Sequence, residues 1–376
     1  MNLRVLIALA PLGGGHFSVA QAIREALAVA DLATEVTEVN VFSKECSRFP
    51  LTAIPALYPA FTVKWPLLWR WLYYGSNSPQ AFQRIEALVQ PLIRPGIRRA
   101  LENCRPDIVV SVFPAIGRTL HAAFSDLGWR TPLGVVLVDM FSIHQAWLYP
   151  HATWYATPTP TVAAICEQVG IDKRRIHDLG LPLRRAFIDP AAPMATTLRE
   201  KLEVPQNACM ALLVTGGMRL EYALAVFDAL LSSGPQLYPV AITGRDERAY
   251  RRLRHGLRGR AGQVVGFAAD MADWLRAADI LVGKAGPTML AEAIQMGTPL
   301  ALTGALPGQE EGNLDFVLRC GLGIHASSPR DIADAVASLV GTTMQVAAIR
   351  ERMAPLRRPR AADELAALIL DTATRR

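Results

Sequence analysis

The sequence is poor in cysteine and in metal-binding patterns. Its five cysteines, Cys46, Cys104, Cys166, Cys209 and Cys320, are scattered, and no two of them form a Cys-x-x-Cys pair. This spacing excludes a zinc ribbon and a disulfide framework, and it favours a reducing compartment. No Asp-x-Asp pair and no histidine cluster occurs. We therefore expect no metal-dependent diphosphate site and no essential metal or other cofactor.

Long apolar runs are also absent. No window of roughly 18–20 consecutive apolar residues occurs, and the nearest candidate, residues 49–63, contains Pro50, Pro55 and Pro59. This excludes a polytopic membrane protein and disfavours a single span. The N-terminus runs into Arg4 and an apolar stretch without a small-residue cleavage site, so we expect no signal peptide. The chain is nevertheless apolar, with a mean hydropathy of +0.21.

Lysine is rare, with 5 Lys against 34 Arg, and the net charge is +6. Most of this excess lies in residues 1–188. A modest charge without a lysine-rich tail does not predict nucleic-acid binding. A half that is both apolar and cationic fits an anionic membrane surface. Codon usage that prefers arginine explains the same excess, and both explanations stay open.

The chain alternates between short buried strands, glycine turns and amphipathic helices. This pattern begins at residues 3–30, stops at the proline-rich segment Leu181–Pro205, and then restarts at residue 208. It predicts an α/β fold of two Rossmann-like domains that face a cleft. We place the domains at residues 1–187 and 188–355, and we expect a C-terminal helix within residues 356–376 to pack back on the first domain.

The strongest binding pattern is Lys284-Ala285-Gly286-Pro287-Thr288, between a buried strand and a helix. Gly286 allows close backbone approach, Pro287 suits a first helical turn, and Thr288 can donate to an oxygen. The pattern predicts a diphosphate cradle, and Glu292 on the same helix can accept from a ribose diol. An ordinary strand-to-helix turn with a solvated glutamate is the structural alternative.

Three further loops are predicted at the same sheet edge. Residues 307–313 carry Gln309, Glu310 and Asn313 between glycines, a composition suited to sugar hydroxyls or to a polar surface turn. Gly244-Arg245 and Gly266-Phe267 end two other strands. Together these loops favour a nucleotide-sugar site.

His16 follows Gly13-Gly14-Gly15 at a predicted helix N-terminus, where a neutral imidazole is favoured. It is our candidate general base, and capping or packing is the alternative. Asp139, His144 and Trp147 are second candidates on the acceptor side. The three glycines do not form G-x-G-x-x-G, so NAD binding is a distant alternative.

Aromatic residues are concentrated in residues 51–74, interleaved with Lys64 and Arg70. This composition is typical of a segment that lies in the headgroup region of a membrane. An aromatic core or a dimer interface is the alternative. The residues that we expect to meet the membrane or the acceptor are Tyr58, Phe61, Trp65, Trp69 and Trp71.

With these motifs in hand, the chain resembles the monogalactosyldiacylglycerol synthase and bacterial diacylglycerol glucosyltransferase family. The family is related to the peptidoglycan N-acetylglucosaminyltransferase and has the two-Rossmann-domain (GT-B) architecture. The resemblance runs from Val5 to about Val340. It rests on residues 13–16, 106–111, 139–147, 180–184, 266–274, 284–293 and 307–313.

The resemblance implies an inverting transfer of a hexose from a UDP-sugar to 1,2-diacylglycerol, which makes a β-monoglycosyldiacylglycerol. Galactose is the favoured sugar and glucose is possible. The expected place is peripheral, on the cytoplasmic face of the cell membrane with its anionic lipids. His16 matches the catalytic base, Glu292 the ribose ligand, and Gln309 with Glu310 the sugar contacts. The residues expected to bind the UDP-sugar are Gly15, Gly217, Arg245, Gly266, Phe267, Lys284, Gly286, Pro287, Thr288, Glu292, Gln309, Glu310 and Asn313.

Three positions depart from the family pattern. Phe113 stands where a histidine is common, Gly217 is followed by Met218 in a loop that is usually glycine-rich, and Asp246 replaces a common asparagine. Two alternatives stay open, and the second is motivated by Phe113 and the altered Gly217 loop. One is transfer to a polyprenyl-linked peptidoglycan precursor, and the other is a catalytically silent protein that binds lipid or nucleotide.

Overall fold

The protein consists of two compact units in a computed structural model that describes residues 2–189 and 195–375. The first unit contains residues 1–185, 307–309 and 358–376, and the second contains residues 186–306 and 310–357. Pro190 and Pro193, which belong to the predicted linker, lie outside the described residues.

The first unit is built on a six-stranded parallel sheet in the order β2-β1-β3-β4-β5-β6. Its central strands are continuous buried runs, as expected for strands that are covered on both faces. The strands are β1 Arg4–Leu9, β2 Glu35–Asn40, β3 Ile108–Ser111, β4 Leu133–Val136, β5 Trp154–Thr157 and β6 Ile176–Asp178.

Six helices follow these strands in the first part of the chain. Ser78 and Thr159 cap two of them, with side-chain oxygens that accept from the N–H groups three residues later, and a proline follows each cap. The helices are α1 Gly15–Ala30, α2 Ile54–Pro59, α3 Pro66–Ser76, α4 Pro79–Cys104, α5 Gly117–Leu127 and α6 Pro160–Gln168. A π-helical turn, Ala60–Lys64, lies between α2 and α3.

The second unit repeats the plan with a parallel sheet in the order β12-β11-β10-β7-β8-β9. Its strands are β7 Cys209–Val214, β8 Leu237–Ile242, β9 Gln263–Val265, β10 Ile280–Lys284, β11 Leu300–Gly304 and β12 Gly323–His325. Its helices are α7 Ala195–Lys201, α8 Leu220–Leu231, α9 Glu247–Gly256, α10 Met271–Ala277, α11 Pro287–Met296, α12 Glu311–Arg319, α13 Pro329–Val340 and α14 Thr343–Met353.

The last helix, α15 Ala361–Thr374, belongs to the first unit and packs against α1. Its buried face includes Leu365 and Ile369. Near its end, the Trp154 indole N–H donates to Thr372 Oγ1 at 3.0 Å. The contacts of α15 thus fix residues from both ends of the sequence in one core.

Both sheets change strand order at one point. In the first sheet the change lies between β1 and β3, and in the second it lies between β7 and β10. Loops that leave the carboxyl ends of such neighbouring strands diverge and leave room for a ligand. The predicted α/β fold with two Rossmann-like sheets is confirmed. Ligand-binding residues of such folds lie near these switch points.

The length and apolar character of the helices determine whether one of them could cross a bilayer. Within the described residues, no individual helix combines the length and the apolar character that a crossing requires. α13 and the helical segment Thr343–Thr374 meet the criterion only when they are taken as a pair, with a bend of 92° between them.

Candidate functional site

His16 lies at the switch point of the first sheet, one residue into α1. Its Nδ1 is 2.6 Å from the carbonyl oxygen of Val112, which directly follows β3. A carbonyl oxygen can only accept, so Nδ1 carries the proton and Nε2 carries the lone pair. The backbone therefore fixes the tautomer of His16 that a general base needs.

The charge state of His16 follows from its surroundings. Burial lowers the pKa of the imidazole to about 4, and the weaker effect of the bond to Val112 opposes this shift. The N-terminal end of α1 also disfavours a positive charge. His16 is thus neutral at pH 7 and can accept a proton at Nε2.

Two aromatic rings line the His16 imidazole. Phe113 meets it edge-on at 5.7 Å between ring centroids, and Trp147 lies tilted at 6.3 Å. Phe113 is buried and also packs on Phe42 at 5.4 Å. The position where the family commonly has a histidine is therefore an apolar wall of the His16 site.

Asp139 holds the Trp147 side of this wall in place. The Trp147 indole N–H donates to Asp139 Oδ2 at 2.6 Å, and both residues are buried. Asp139 Oδ1 accepts from Gln309 Nε2 at 3.1 Å, and Ser142 Oγ donates to the Gln309 carbonyl at 3.0 Å. The first unit, which includes residues 307–309, thus brings His16, Trp147, Asp139 and Gln309 together.

His144, another predicted acceptor-side residue, is engaged on both ring nitrogens. Its Nδ1 accepts from the Ala146 N–H at 3.0 Å, and its Nε2 lies 3.1 Å from both the Tyr73 carbonyl oxygen and Ser76 Oγ. The carbonyl requires a proton on Nε2. Burial lowers the pKa of His144, which favours the neutral ring. His144 therefore links α3 to the turn Gln145–Trp147.

In the second unit, the predicted binding loops follow β7, β8, β9 and β10. Because these strands are parallel neighbours, Gly217, Arg245, Phe267 and Lys284 lie at one edge of the sheet. The Arg245 guanidinium lies 5.0 Å from the centre of the Phe267 ring, which is 63% exposed. Gly217 and Lys284 flank the β7/β10 switch point.

Lys284 is paired with Glu310. The Lys284 ammonium contacts Glu310 Oε1, and Glu310 Oε2 accepts from the Leu306 N–H at 2.9 Å. Glu310 is buried, whereas Lys284 is partly exposed. A Cβ on Gly217 would lie 2.4 Å from Lys284 Cε, so the lysine stem passes over a position that only glycine fits. The absence of a side chain at Gly217, in the loop after β7, thus leaves the space that the Lys284 side chain occupies.

Two buried polar atoms near this pair have no hydrogen-bond partner among the residues that the structure describes. They are Thr288 Oγ1, in the first turn of α11, and Asn313 Oδ1, in α12. Asn313 Nδ2 donates to the Ala285 carbonyl at 2.8 Å, which aligns its amide with the loop before α11. Gly286 caps α11 without a side-chain bond, so the helix N-terminus is open to a ligand. Buried polar atoms are normally satisfied. The Thr288 hydroxyl can donate to an anionic oxygen of a ligand, whereas Asn313 Oδ1 can only accept and suits a donor such as a sugar hydroxyl.

Glu292 and Pro287 both lie on α11. Pro287 is the first residue of the helix, and Glu292 is buried in its second turn. Gly15 and Gly266 are the remaining predicted contacts; Gly15 begins α1 in the first unit, and Gly266 follows β9 in the second.

The aromatic segment contains α2, the π-turn and α3. Trp65 and Trp71 are exposed, 54% and 71% respectively, whereas Tyr58, Phe61 and Trp69 are half-buried. Tyr58 packs edge-on against Trp69 at 5.5 Å. The predicted set therefore divides into two outward-facing tryptophans and three rings that support the helices.

Several exposed apolar residues were missed by the aromatic pattern. They lie on the outer faces of α2, α3 and α4, and the signal that could have found them is helical periodicity with apolar residues on the solvent side. These residues are Leu57, Leu67, Leu68, Leu72, Ile85 and Leu88.

Comparison with known proteins identifies which sequences and folds the chain resembles. The sequence model of the monogalactosyldiacylglycerol (MGDG) synthase family matches residues 16–183. The chain is 30% identical over 357 residues to monogalactosyldiacylglycerol synthase 1, chloroplastic, of Arabidopsis thaliana, with 90% of this chain and 65% of the relative covered. Monogalactosyldiacylglycerol synthase 3 of the same plant is 29% identical, with 89% and 73% covered. The chain thus spans just under two thirds of the first of these relatives.

Solved structures show the fold. Acinetobacter baumannii MurG superimposes with a TM-score of 0.60 at 12% identity, over 99% of this chain and 100% of that one. Anabaena Alr3699/HepE in complex with UDP and glucose superimposes with a TM-score of 0.58 at 15% identity, over 98% and 99%. The resemblance drawn from the motifs is confirmed. The chain is similar in sequence to the monogalactosyldiacylglycerol synthases, and it shares the GT-B fold of solved glycosyltransferases.

Proposed function

We propose that the protein transfers a hexose, galactose by preference, from a UDP-sugar to the free hydroxyl of 1,2-diacylglycerol with inversion at the anomeric carbon. The observation that carries this proposal is the neutral His16, whose Nδ1–H is held by Val112 and whose Nε2 is left as the basic atom. The acceptor class is inferred from the similar synthases. Their names state the product monogalactosyldiacylglycerol, which is diacylglycerol that carries one galactose.

On the acceptor side, His16 Nε2 takes the proton of the glycerol hydroxyl as its oxygen attacks the anomeric carbon. The new bond forms as the bond from that carbon to the UDP oxygen breaks, so the product has the opposite anomeric configuration. Trp147, fixed by Asp139, keeps the imidazole in position through ring contact. Asp139 and Trp147 act as positioning residues in this scheme.

On the donor side, the second unit supplies the groups that suit UDP. The open N-terminus of α11, the unpaired Thr288 hydroxyl and the Lys284 ammonium are suited to the diphosphate. They would stabilise the negative charge that develops on the departing UDP. Glu292 is the proposed ribose ligand, and Gln309 with Glu310 are the proposed sugar ligands.

The place of action that we propose is a membrane surface. Trp65, Leu67 and Trp71 expose more than half of their side chains, beside Lys64 and Arg70. Exposed apolar residues flanked by cations are suited to the interface between lipid headgroups and acyl chains. The pattern supports peripheral attachment to a bilayer that contains the acceptor.

A product assay tests the proposal directly. The protein is incubated with diacylglycerol in neutral detergent micelles and with labelled UDP-galactose, UDP-glucose or UDP-N-acetylglucosamine, and NMR identifies the sugar and the anomer. We expect a β-galactosyl lipid, and we expect His16→Ala to lower turnover roughly 10²–10⁴-fold. His151→Ala, which removes an exposed histidine of the same unit, is the matched control.

Three outcomes contradict the proposal. Transfer to a polyprenyl-linked acceptor but not to diacylglycerol would give the protein another substrate. Binding of UDP without any transfer would make it a silent relative. Near-normal turnover in a folded His16→Ala protein would remove the assigned base.

A further inference from the structure

A strongly cationic helix in the second unit plays no part in the proposed transfer. α9 and the turn that follows it carry six arginines between residues 248 and 260. The helix packs on the unit through Ala249 and Leu253, which are buried. Its other side chains face outward, and none of them is a large exposed hydrophobic residue.

Only part of this charge is balanced within the fold. Arg260 pairs with Asp228 at 2.5 Å, and Arg251 approaches Glu247 at 3.8 Å, with both of the latter side chains about three-quarters exposed. Among the described residues, Arg248, Arg252 and Arg258 have no acidic partner within ion-pair distance. Arg248 and Arg252 are four residues apart on one helical face, a spacing at which like charges weaken a helix.

Arginines on other helices show a different pattern. Arg330 of α13 pairs with Asp334, and Arg375 at the end of α15 pairs with Asp371, each four residues away. Arg98 of α4 pairs with Glu102 in the same way. These three arginines each have an acid one turn away, which Arg248 and Arg252 lack.

We propose that the basic surface formed by Arg248 and Arg252 of α9 and by Arg258 of the turn that follows it, here called the α9 face, binds the headgroups of anionic phospholipids. This inference rests on the proposed function, which brings the protein to a lipid surface. Guanidinium groups bind phosphate oxygens in a bidentate manner, and the absence of exposed apolar residues on α9 fits contact with headgroups without insertion. The α9 face thus differs from the aromatic segment, which offers apolar side chains to the acyl region.

Vesicle binding of the full chain tests this assignment. Wild-type protein is sedimented with vesicles of phosphatidylcholine alone and with vesicles in which roughly a third of the lipid is phosphatidylglycerol. The variant R248Q/R252Q/R258Q is compared with R174Q/R330Q/R375Q, which removes the same charge from exposed arginines that have acidic neighbours. We expect the α9 variant to lose about 100-fold in affinity for the anionic vesicles at low salt. Both variants should bind neutral vesicles as the wild type does.

Several results would overturn the inference. They are equal losses in the two variants, an unchanged affinity of the α9 variant, or a loss of affinity for a short DNA duplex without a loss for anionic vesicles. The transfer assay in neutral micelles separates this inference from the proposed function. If neither the wild type nor the variants form glycolipid in neutral micelles, the proposed transferase function is wrong. The vesicle comparison then still tests whether the α9 face binds anionic lipid. Circular dichroism melts of both variants check that each is folded.

Discussion

The pH dependence of transfer is the sharpest consequence of the His16 geometry. An imidazole at the ordinary pKa of 6.5 is only about 10% neutral at pH 5.5, whereas one with a pKa of about 4 is about 97% neutral. The base form is the reactive form, so kcat/KM should stay nearly constant down to about pH 5 and then fall with a midpoint near 4.

The assay is an initial-rate series in neutral micelles with saturating UDP-galactose and with diacylglycerol well below its KM, so that the rate reports kcat/KM, between about pH 3 and pH 8. Neutral micelles are needed because protonation of anionic lipids would change the acceptor surface in the same range. A fall in rate with its midpoint near pH 6.5 would show that the His16 imidazole is hydrated and has an ordinary pKa, which would contradict the prediction. A profile that does not change in His16→Ala would remove His16 from the reaction.

The same shift predicts an effect on stability. The pKa of His16 is lowered in the folded state, so the unfolded chain binds more protons between about pH 4 and 6.5. The contribution of His16 is fully present above about pH 6.5 and is lost as the pH falls towards 4, by at most about 3 kcal/mol. Burial raises the pKa of Glu86 to about 7, which acts in the opposite direction over part of this range. The measurement is therefore the difference in unfolding free energy between wild type and His16→Gln at each pH, in which the contribution of Glu86 cancels.

Three further predictions concern the donor loops and the aromatic segment. Glu310→Gln should bind UDP several-fold more tightly by calorimetry, because it frees the paired Lys284, and it should turn over more slowly, because it changes a proposed sugar ligand. Weaker UDP binding would contradict this prediction. Gly217→Ala should weaken UDP binding roughly 10-fold or more, because a methyl group there displaces the lysine stem and strains a residue at φ +78°; unchanged affinity would contradict it. Trp71→Ala should lower binding to neutral vesicles about 10-fold, whereas Leu32→Ala, at an even more exposed apolar site outside the aromatic segment, should not.

Much of the fold could be predicted because its central strands are uninterrupted apolar runs. β3, β8 and β10 are examples, because each is a continuous or nearly continuous buried run that the sequence pattern can identify. β6 and β12 do not, because each has only three residues and none of them is fully buried. Such edge strands are defined by their neighbours in the sheet, and a single sequence does not contain that information.

The candidate site was predictable as a set of loops but not as a set of contacts. Lys284 and Glu310 each carry a binding motif, yet nothing local indicates that residues 26 positions apart would pair with each other. His144 lies in a suggestive motif, but its bond to the Tyr73 carbonyl spans 71 positions and shows that the ring is already engaged. Residue type and spacing indicated the chemistry, and packing determined which groups are available.

The position of α15 has a consequence for how the protein is made. The second unit is a nearly continuous stretch of chain, whereas the core of the first unit combines α1 with a helix that begins at Ala361. During synthesis the second unit can complete its sheet while the apolar face of α1 still lacks its partner. The usual order, in which the N-terminal domain folds first, is therefore reversed for at least this face. Until α15 has emerged from the ribosome and packed on α1, the apolar face of α1 in the nascent first unit stays exposed to solvent and to chaperones.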